Sequence, residues 1–460
     1  MIHKSWADSL EKSFLANFYT GKVNYDIFSS FPQSDIDKES ETARILARDL
    51  VQSSCRESAH SCQISQIFLE EVRKTKLLAM NVPVEHGGMG MNNTSTYAVM
   101  CEAASIDIPS TLVIGISNGF GIGSILPVIT NENLREIIID RVQSGCISGW
   151  ADTEPQGAAN WMPNTTASLS HCGNHYSISG EKRYIGNGSI ADCLLVSAAE
   201  STSEERGNLF IVDTHAEGFH SITDHEFMGL ERAPISAISL DKVSIPVDHK
   251  IVFGEDHWRN TPLIEPISCL GRMLSVVAVN ESIAERCVKW MDEFSTNKII
   301  NGRQLGNYGH IADLISLSKA ELFALKSMAK WILATSDRGS LIDCFWEMIA
   351  AKNFATETSR NISDRCMSIF GAEGFETAKS KSLLGYGNFP VEQAYRDCRG
   401  FRISGGVDFA IDFFAAKRWI SIFYYQLRDA KNKRSGTSNI EYSHPVIDYC
   451  EKQTERIFSF

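Results

Sequence analysis

The sequence predicts an α+β protein in which an N-terminal helical domain, a central β domain and a C-terminal helical bundle follow one another. Three observations carry that prediction. Helical spacing of apolar residues dominates from about residue 41 to 145, short β-rich runs replace it over 146–253, and long helical faces return from about residue 262. A chain of 460 residues has room for two to four domains. The expected division is an N-terminal extension at 1–40, helices at 41–145, strands at 146–253, the bundle at 254–430 and a tail at 431–460.

The extension is mixed in composition and contains Phe31-Pro32-Gln33-Ser34-Asp35. In the first helical region the clearest element begins at Asn131. That side chain can cap, Glu132 is an acid in the first turn, and Leu134, Ile137, Ile138 and Val142 recur at helical spacing before Gly145. Then the period changes. His175-Tyr176-Ser177-Ile178-Ser179 alternates as a half-buried strand does, and Gly173-Asn174 before it marks a hairpin turn. Cys193–Ser197 and Leu209–Val212 are short strands, and Ile235–Val252 reads as two more, interrupted at Pro246. In the last region Ile283, Cys287, Trp290, Met291 and Phe294 share one helical face. Leu322, Leu325, Ala329 and Ile332 repeat it, as do Ile342, Phe345 and Ile349, and short connections between such helices make a bundle. The tail reads as polar, with one helix at Val446–Phe458.

Composition narrows the function. Apolar residues make up 43% and charged residues 22%, which excludes a largely disordered or fibrous chain. With 44 Lys and Arg against 56 Asp and Glu the net charge is −12, so no nucleic-acid partner is expected. The densest basic run, Lys431-Asn432-Lys433-Arg434, reads as a solvated tail. No apolar stretch approaches the roughly 20 residues that span a bilayer; Phe409–Leu427 is broken by Asp412, Lys417 and Arg418. No membrane partner is expected. The 12 scattered Cys and the N-terminus without an apolar core predict buried thiols in a reducing, cytoplasmic setting.

Isolated motifs are weak. Gly115-Ile-Ser-Asn-Gly-Phe-Gly-Ile-Gly123 lacks the preceding strand and following βαβ unit of a dinucleotide fingerprint, and reads as close helix packing. His171-Cys172-Gly173-Asn174-His175 lies on the hairpin turn without a second ligand pair, so no metal is expected.

Four ordered segments say more. They are Val82-Pro-Val-Glu-His-Gly-Gly-Met-Gly90, Trp150-Ala-Asp-Thr-Glu-Pro155, Gly180-Glu-Lys-Arg-Tyr-Ile-Gly-Asn-Gly188 and Phe389-Pro-Val-Glu-Gln-Ala-Tyr-Arg-Asp397. Phe227-Met-Gly-Leu230 and Asn301-Gly-Arg-Gln-Leu305 support them. In this order and spacing, over about residues 40–425, the chain resembles the acyl-CoA dehydrogenase family.

The resemblance implies a C-terminal four-helix bundle, FAD held between the β domain and that bundle, and a homodimer or homotetramer. It also implies an acyl thioester, on CoA or an acyl-carrier protein, as the substrate. A flavin electron acceptor or oxygen would be the second partner. Trp150, Asp152 and Thr153 fall where the family meets the flavin's pyrimidine edge. Ala158-Ala159-Asn160 replaces a Gly-Ser-Asp, so Ala159 stands where a hydroxyl meets the pyrophosphate. Tyr184 takes the place of the family's aromatic, and Gly186 that of a Thr at flavin N5. Lys298 and Asn301 stand where Arg and Phe reach a neighbouring subunit's FAD, and Ser368, Gly371 and Ala372 replace residues of the family's Gln and FGGxG stretch. Arg272 resembles an Arg lining the acyl pocket, and Arg396-Asp397 reads as an ion pair.

The family's base is the notable absence. Removing a weakly acidic α proton takes a positioned carboxylate and an oxyanion site. The usual Glu falls at Gly405, between Ser404 and Gly406, and the alternative position, before Arg272, is Gly271. Asp408 is the candidate substitute base, with helix capping as its structural alternative. The other readings are a different flavin chemistry, such as oxygenation in the space opened at Gly405 and Gly406, or a non-catalytic flavin-binding homologue. The backbone N–H at 405 survives the loss of the side chain and can still polarise a carbonyl.

Overall fold

The computed structural model describes residues 13–15, 38–58, 61, 63–157, 163–200, 208–251, 264–385, 389–412 and 415. Ala159, the basic run at 431–434 and the helix expected at 446–458 lie outside them.

From residue 38 onward the first domain holds, among the described residues, the helices α1 (Lys38–Glu57), α2 (Gln66–Arg73), α3 (Asn93–Ala104), α4 (Ile108–Phe120) and α5 (Glu132–Gln143). Their starts are capped as the sequence directs. The Asn131 side chain accepts from the Leu134 amide at 3.0 Å, and the Asn92 and Asp107 side chains do the same for α3 and α4. Of these helices α4 is the most interior, with Pro109 in its first turn and nearly every residue buried.

The middle of the chain forms one sheet: β1 (Ser148–Ala151), β2 (Thr166–Leu169), β3 (His175–Gly186), β4 (Cys193–Glu200), β5 (Asn208–Asp213), β6 (Phe219–Asp224), β7 (Ile235–Pro246) and β8 (Lys250–Ile251). The order is β6-β7-β3-β2-β4-β5-β8, with β1 lying parallel to β4. β2 and β3 form the hairpin expected at Gly173-Asn174. The β3–β7 ladder is irregular between Lys182 and Ile185, where Tyr184 takes a φ of 60°. Such a break re-aims side chains at a strand end. The two strands expected over Ile235–Val252 are divided at Pro246 as the sequence suggests: Pro246 ends β7, and a single helical turn at Val247–His249 leads into β8.

The bundle contains α6 (Ile264–Arg272), α7 (Ala278–Asn297), α8 (Gly309–Arg338), α9 (Phe345–Phe370) and the shorter α10 (Ala372–Phe375), α11 (Ala378–Leu384) and α12 (Val391–Phe401). A hairpin of β9 (Ile299–Ile300) and β10 (Arg303–Gln304) links α7 to α8. The face expected through Ile342, Phe345 and Ile349 is split. Ser340 and Asp343 form a capping box on a 3₁₀ turn at Leu341–Cys344, and α9 starts at Phe345.

Two helical stretches, Ile108–Val128 and Glu265–Asn297, are long and apolar enough to cross a membrane by length and composition alone. This corrects the expectation that none exists. Both are mostly buried, because they form the seam between the first domain and the bundle. There the sequence's glycines do what their spacing suggests. A Cβ on Gly119 of α4 would stand 2.5 Å from the Gly271 Cα of α6, so the two backbones touch.

Candidate functional site

The sheet side of the site starts at the end of β1. Glu154 is buried and accepts from the Asn164 amide (2.6 Å), the Thr165 amide and hydroxyl (both 2.8 Å) and the Lys182 ammonium (2.9 Å). Burial alone would raise its pKa; the amides and Lys182 outweigh it and hold the carboxyl at about 2. Lys182, fully buried, also reaches the Asp152 carbonyl at 3.2 Å and the Ser197 hydroxyl at 3.1 Å, and Ser197 donates to Asp152 Oδ1 at 2.6 Å. Residues 152–154 are therefore pinned from beneath. Thr153, between them, is half-buried and its hydroxyl has no hydrogen-bond partner among the described residues. Trp150 packs with the first domain's core rather than standing open.

Next to it, Tyr184 is 55% exposed. Its ring lies against His225 at 4.5 Å and Phe227 at 6.2 Å, giving an open aromatic face. Gly186, two residues on, is covered: a Cβ there would come within 2.6 Å of Ile116 Cδ1 on α4. Ile116 belongs to the apolar cluster that also holds Val276 and Ile235.

The bundle side is built on a π-helical stretch, Met273–Val277, directly after Arg272. Such widened turns rotate the side chains that follow and recur at functional sites. Here Arg272 and Val276 face the loop 402–408: a Cβ on Gly405 would stand 3.4 Å from Arg272 Cγ and 3.6 Å from Val276 Cγ2. The Arg272 Nε donates to the Gly405 carbonyl at 2.6 Å. Gly405 and Gly406 have φ of 67° and 100°, a backbone path that disfavours any other residue. The buried Ser404 Oγ has no partner among the described residues. Asp408 is fully engaged. Its carboxylate takes Lys352 at 2.8 Å and Arg402 at 2.5 Å, and it opens the following helical turn. This arrangement favours the structural alternative for Asp408 over the base.

A third group stands on a separate surface. The Lys298 ammonium lies 5.5 Å over the Phe294 ring, which stacks on Phe370 at 3.9 Å, next to Gly371. Ser368, Gly371, Ala372 and Asn301 are exposed. Arg396 and Asp397 do not pair with each other. Arg396 binds Glu392 and Glu231, at 2.8 and 2.7 Å, and Asp397 accepts the Leu230 amide at 2.6 Å. Together they tie the β6–β7 connection to α12. Burial raises the Asp397 carboxyl to about 6.

These residues fit a flavin at two points. The unpartnered Thr153 hydroxyl suits the polar pyrimidine edge, and the open Tyr184 ring suits a flat apolar face. At Gly186, where the resemblance implies a hydroxyl for N5, they do not: glycine supplies none, and Ile116 covers that position. Sequence reasoning gave no role to Glu154, Lys182, Ile116 or Lys352. Two of them left a signal. Lys182 shares the inward phase of β3 with Tyr176 and Ile178, and Lys352 sits on the buried face of α9 with Met348 and Ala355. A charge on an apolar face has to be paired.

Models of the acyl-CoA dehydrogenase N-terminal, middle and C-terminal domains match residues 37–145, 149–243 and 270–409. The chain is 26% identical over 403 residues to "Probable acyl-CoA dehydrogenase FadE10" of Mycobacterium tuberculosis, covering 86% of this chain and 61% of that protein. It is 24% identical over 422 residues to the mitochondrial very long-chain specific acyl-CoA dehydrogenase of Mus musculus, covering 88% and 61%. It thus spans about 61% of the length of these curated relatives. Among solved structures, butyryl-CoA dehydrogenase from Megasphaera elsdenii superposes with a TM-score of 0.72 at 18% identity, covering 84% of this chain and 98% of that one. A glutaryl-CoA dehydrogenase from Mycobacterium smegmatis in complex with FADH2 gives 0.70 at 17%, covering 83% and 94%.

Proposed function

Since the chain belongs to the acyl-CoA dehydrogenase family, we propose that it binds FAD and oxidises an acyl thioester, carried on CoA or an acyl-carrier protein, at its CH–CH group. Thr153 carries the reading: a hydroxyl without a protein partner, held by a buried ion pair beside an open aromatic ring. Thr153 and Tyr184 would hold the flavin's pyrimidine edge and face. FAD, when bound, supplies the two-electron acceptor. Ile116, against Gly186, and Val276, against Gly405, belong to one apolar cluster and would keep water from the reacting edge of the flavin. The Gly405 amide would receive the thioester oxygen. Exposed Ile299 and Ile300, at 58% and 40%, support a homo-oligomer in which the hairpin meets a second subunit.

Proton removal is the open step, and one observation favours a second reading. With Gly at 405 and 271, and Asp408 locked to Lys352 and Arg402, the usual carboxylate is replaced by no other residue of the loop. Flavin-dependent oxygenation on the same fold needs none there, and a non-catalytic homologue needs none at all.

An absorbance spectrum of the purified protein, before and after anaerobic addition of a panel of acyl thioesters, tests these readings. Bleaching of the flavin band supports dehydrogenation. NAD(P)H-supported reduction with an oxygen-dependent product supports oxygenation. A colourless protein that takes up no flavin on reconstitution overturns the proposal.

A further inference from the structure

The loop 402–408 is held by its carbonyl groups. Lys352, whose side chain is fully buried, donates to the Gly406 carbonyl at 2.7 Å, the Arg402 carbonyl at 3.4 Å and Asp408 Oδ1 at 2.8 Å. Arg272 takes the Gly405 carbonyl at 2.6 Å. In a trans peptide N–H and C=O lie in one plane and point in opposite directions. Fixing the oxygen of Gly405 on Arg272 therefore turns the Gly406 N–H away from Arg272. Fixing the oxygen of Gly406 on Lys352 turns the Val407 N–H away from Lys352. The N–H groups of Gly405, Gly406 and Val407 donate to no acceptor among the described residues. Consecutive unpaired amides in a positive-φ turn form a concavity that binds an oxygen carrying negative charge.

We propose that Lys352 is the positioning residue of this site: with Arg272 it holds the carbonyls of Gly405 and Gly406 back, so that the amides of Gly406 and Val407 take the carbonyl oxygen of an acyl thioester. The inference rests on the thioester reading and adds to it the device that orients the donors. Lys352 touches no substrate and acts only through the loop. Asp408 is then the counter-ion that lets a charged Lys352 stay buried, and Arg402 closes the same carboxylate from the other side. Burial lowers the Lys352 pKa, while Asp408 opposes that change.

The test compares two ligands that differ only in the carbonyl: hexanoyl-CoA and the thioether S-hexyl-CoA, titrated by calorimetry into the holoprotein. Wild type is expected to bind the thioester about tenfold more tightly, the worth of one good hydrogen bond to a partly charged oxygen. Lys352→Met should remove that preference and leave thioether affinity within about twofold, an outcome that a merely structural role would not produce. Asp408→Asn, which keeps the shape of its side chain, is the second variant should Lys352→Met fold poorly; it should reduce the preference in the same direction. Equal binding of both ligands by wild type, or a preference kept in both variants, overturns the proposal while leaving a thioester substrate standing. Wild type that binds neither ligand overturns the thioester reading and this inference with it.

Discussion

Replacing Lys182 with methionine removes the cation under residues 152–154 and leaves the Glu154 carboxylate buried with its four remaining donors, the backbone and side-chain amides of Asn164 and the amide and hydroxyl of Thr165. The gap between the ordinary value of 4.5 and about 2 is worth about 3 kcal/mol at 1.36 kcal/mol per pH unit. That figure belongs to all its donors together. Breaking one side of a buried pair costs about 3–5 kcal/mol, so a loss of about 3 kcal/mol is expected in urea unfolding at pH 7. The pH dependence has a definite sign. A depressed carboxyl contributes its full stability above the unfolded value and loses it as pH falls toward 2. The gap between wild type and Lys182→Met should therefore narrow between pH 5 and pH 2. Because Lys182 also holds Asp152, flavin affinity should fall as well, read by fluorescence titration. An unchanged midpoint, pH profile and flavin affinity would refute the reasoning.

Thr153→Val removes one hydroxyl and should weaken flavin binding about three- to tenfold, with melting temperature unchanged. Gly119→Ala puts a methyl group against the Gly271 backbone and should cost about 1–3 kcal/mol in thermal unfolding. Asp397, raised to about 6 by burial, favours the folded state while protonated, so stability should fall as pH rises from 4 through 6; Asp397→Asn should flatten that part of the melting-temperature profile. Burial likewise raises Glu347, which accepts the Ser13 hydroxyl at 2.7 Å and the Leu15 amide at 3.1 Å. Glu347→Ala should free the segment at 13–15, seen as faster proteolysis there.

Much of the architecture was legible because it rests on local patterns. The Asn131 cap, the Gly173-Asn174 turn and the faces of α7 and α8 are set by residues a few positions apart. The split at Ser340 was missed because its capping box competes with a continuous apolar face, and periodicity does not report caps. The site was less legible. Thr153, Tyr184 and Gly405 stood out through their motifs, but their partners come from far along the chain. Ile116 covers Gly186, Lys352 holds Gly406, and Arg396 turns to Glu231 instead of its neighbour Asp397. Such pairings are decided by packing, and a single sequence carries no distance.

The seam between α4 and α6 bears on how much hydrocarbon the protein can admit. At Gly119 and Gly271 main chain lies on main chain, one residue from the arginine that grips the 402–408 loop. Nothing as thick as a methylene chain can be threaded between the two helices at that crossing. Under the proposed thioester reading, an acyl tail entering beside Arg272 would find no passage at that crossing, so two hydrogen atoms in place of side chains would set a limit on its length.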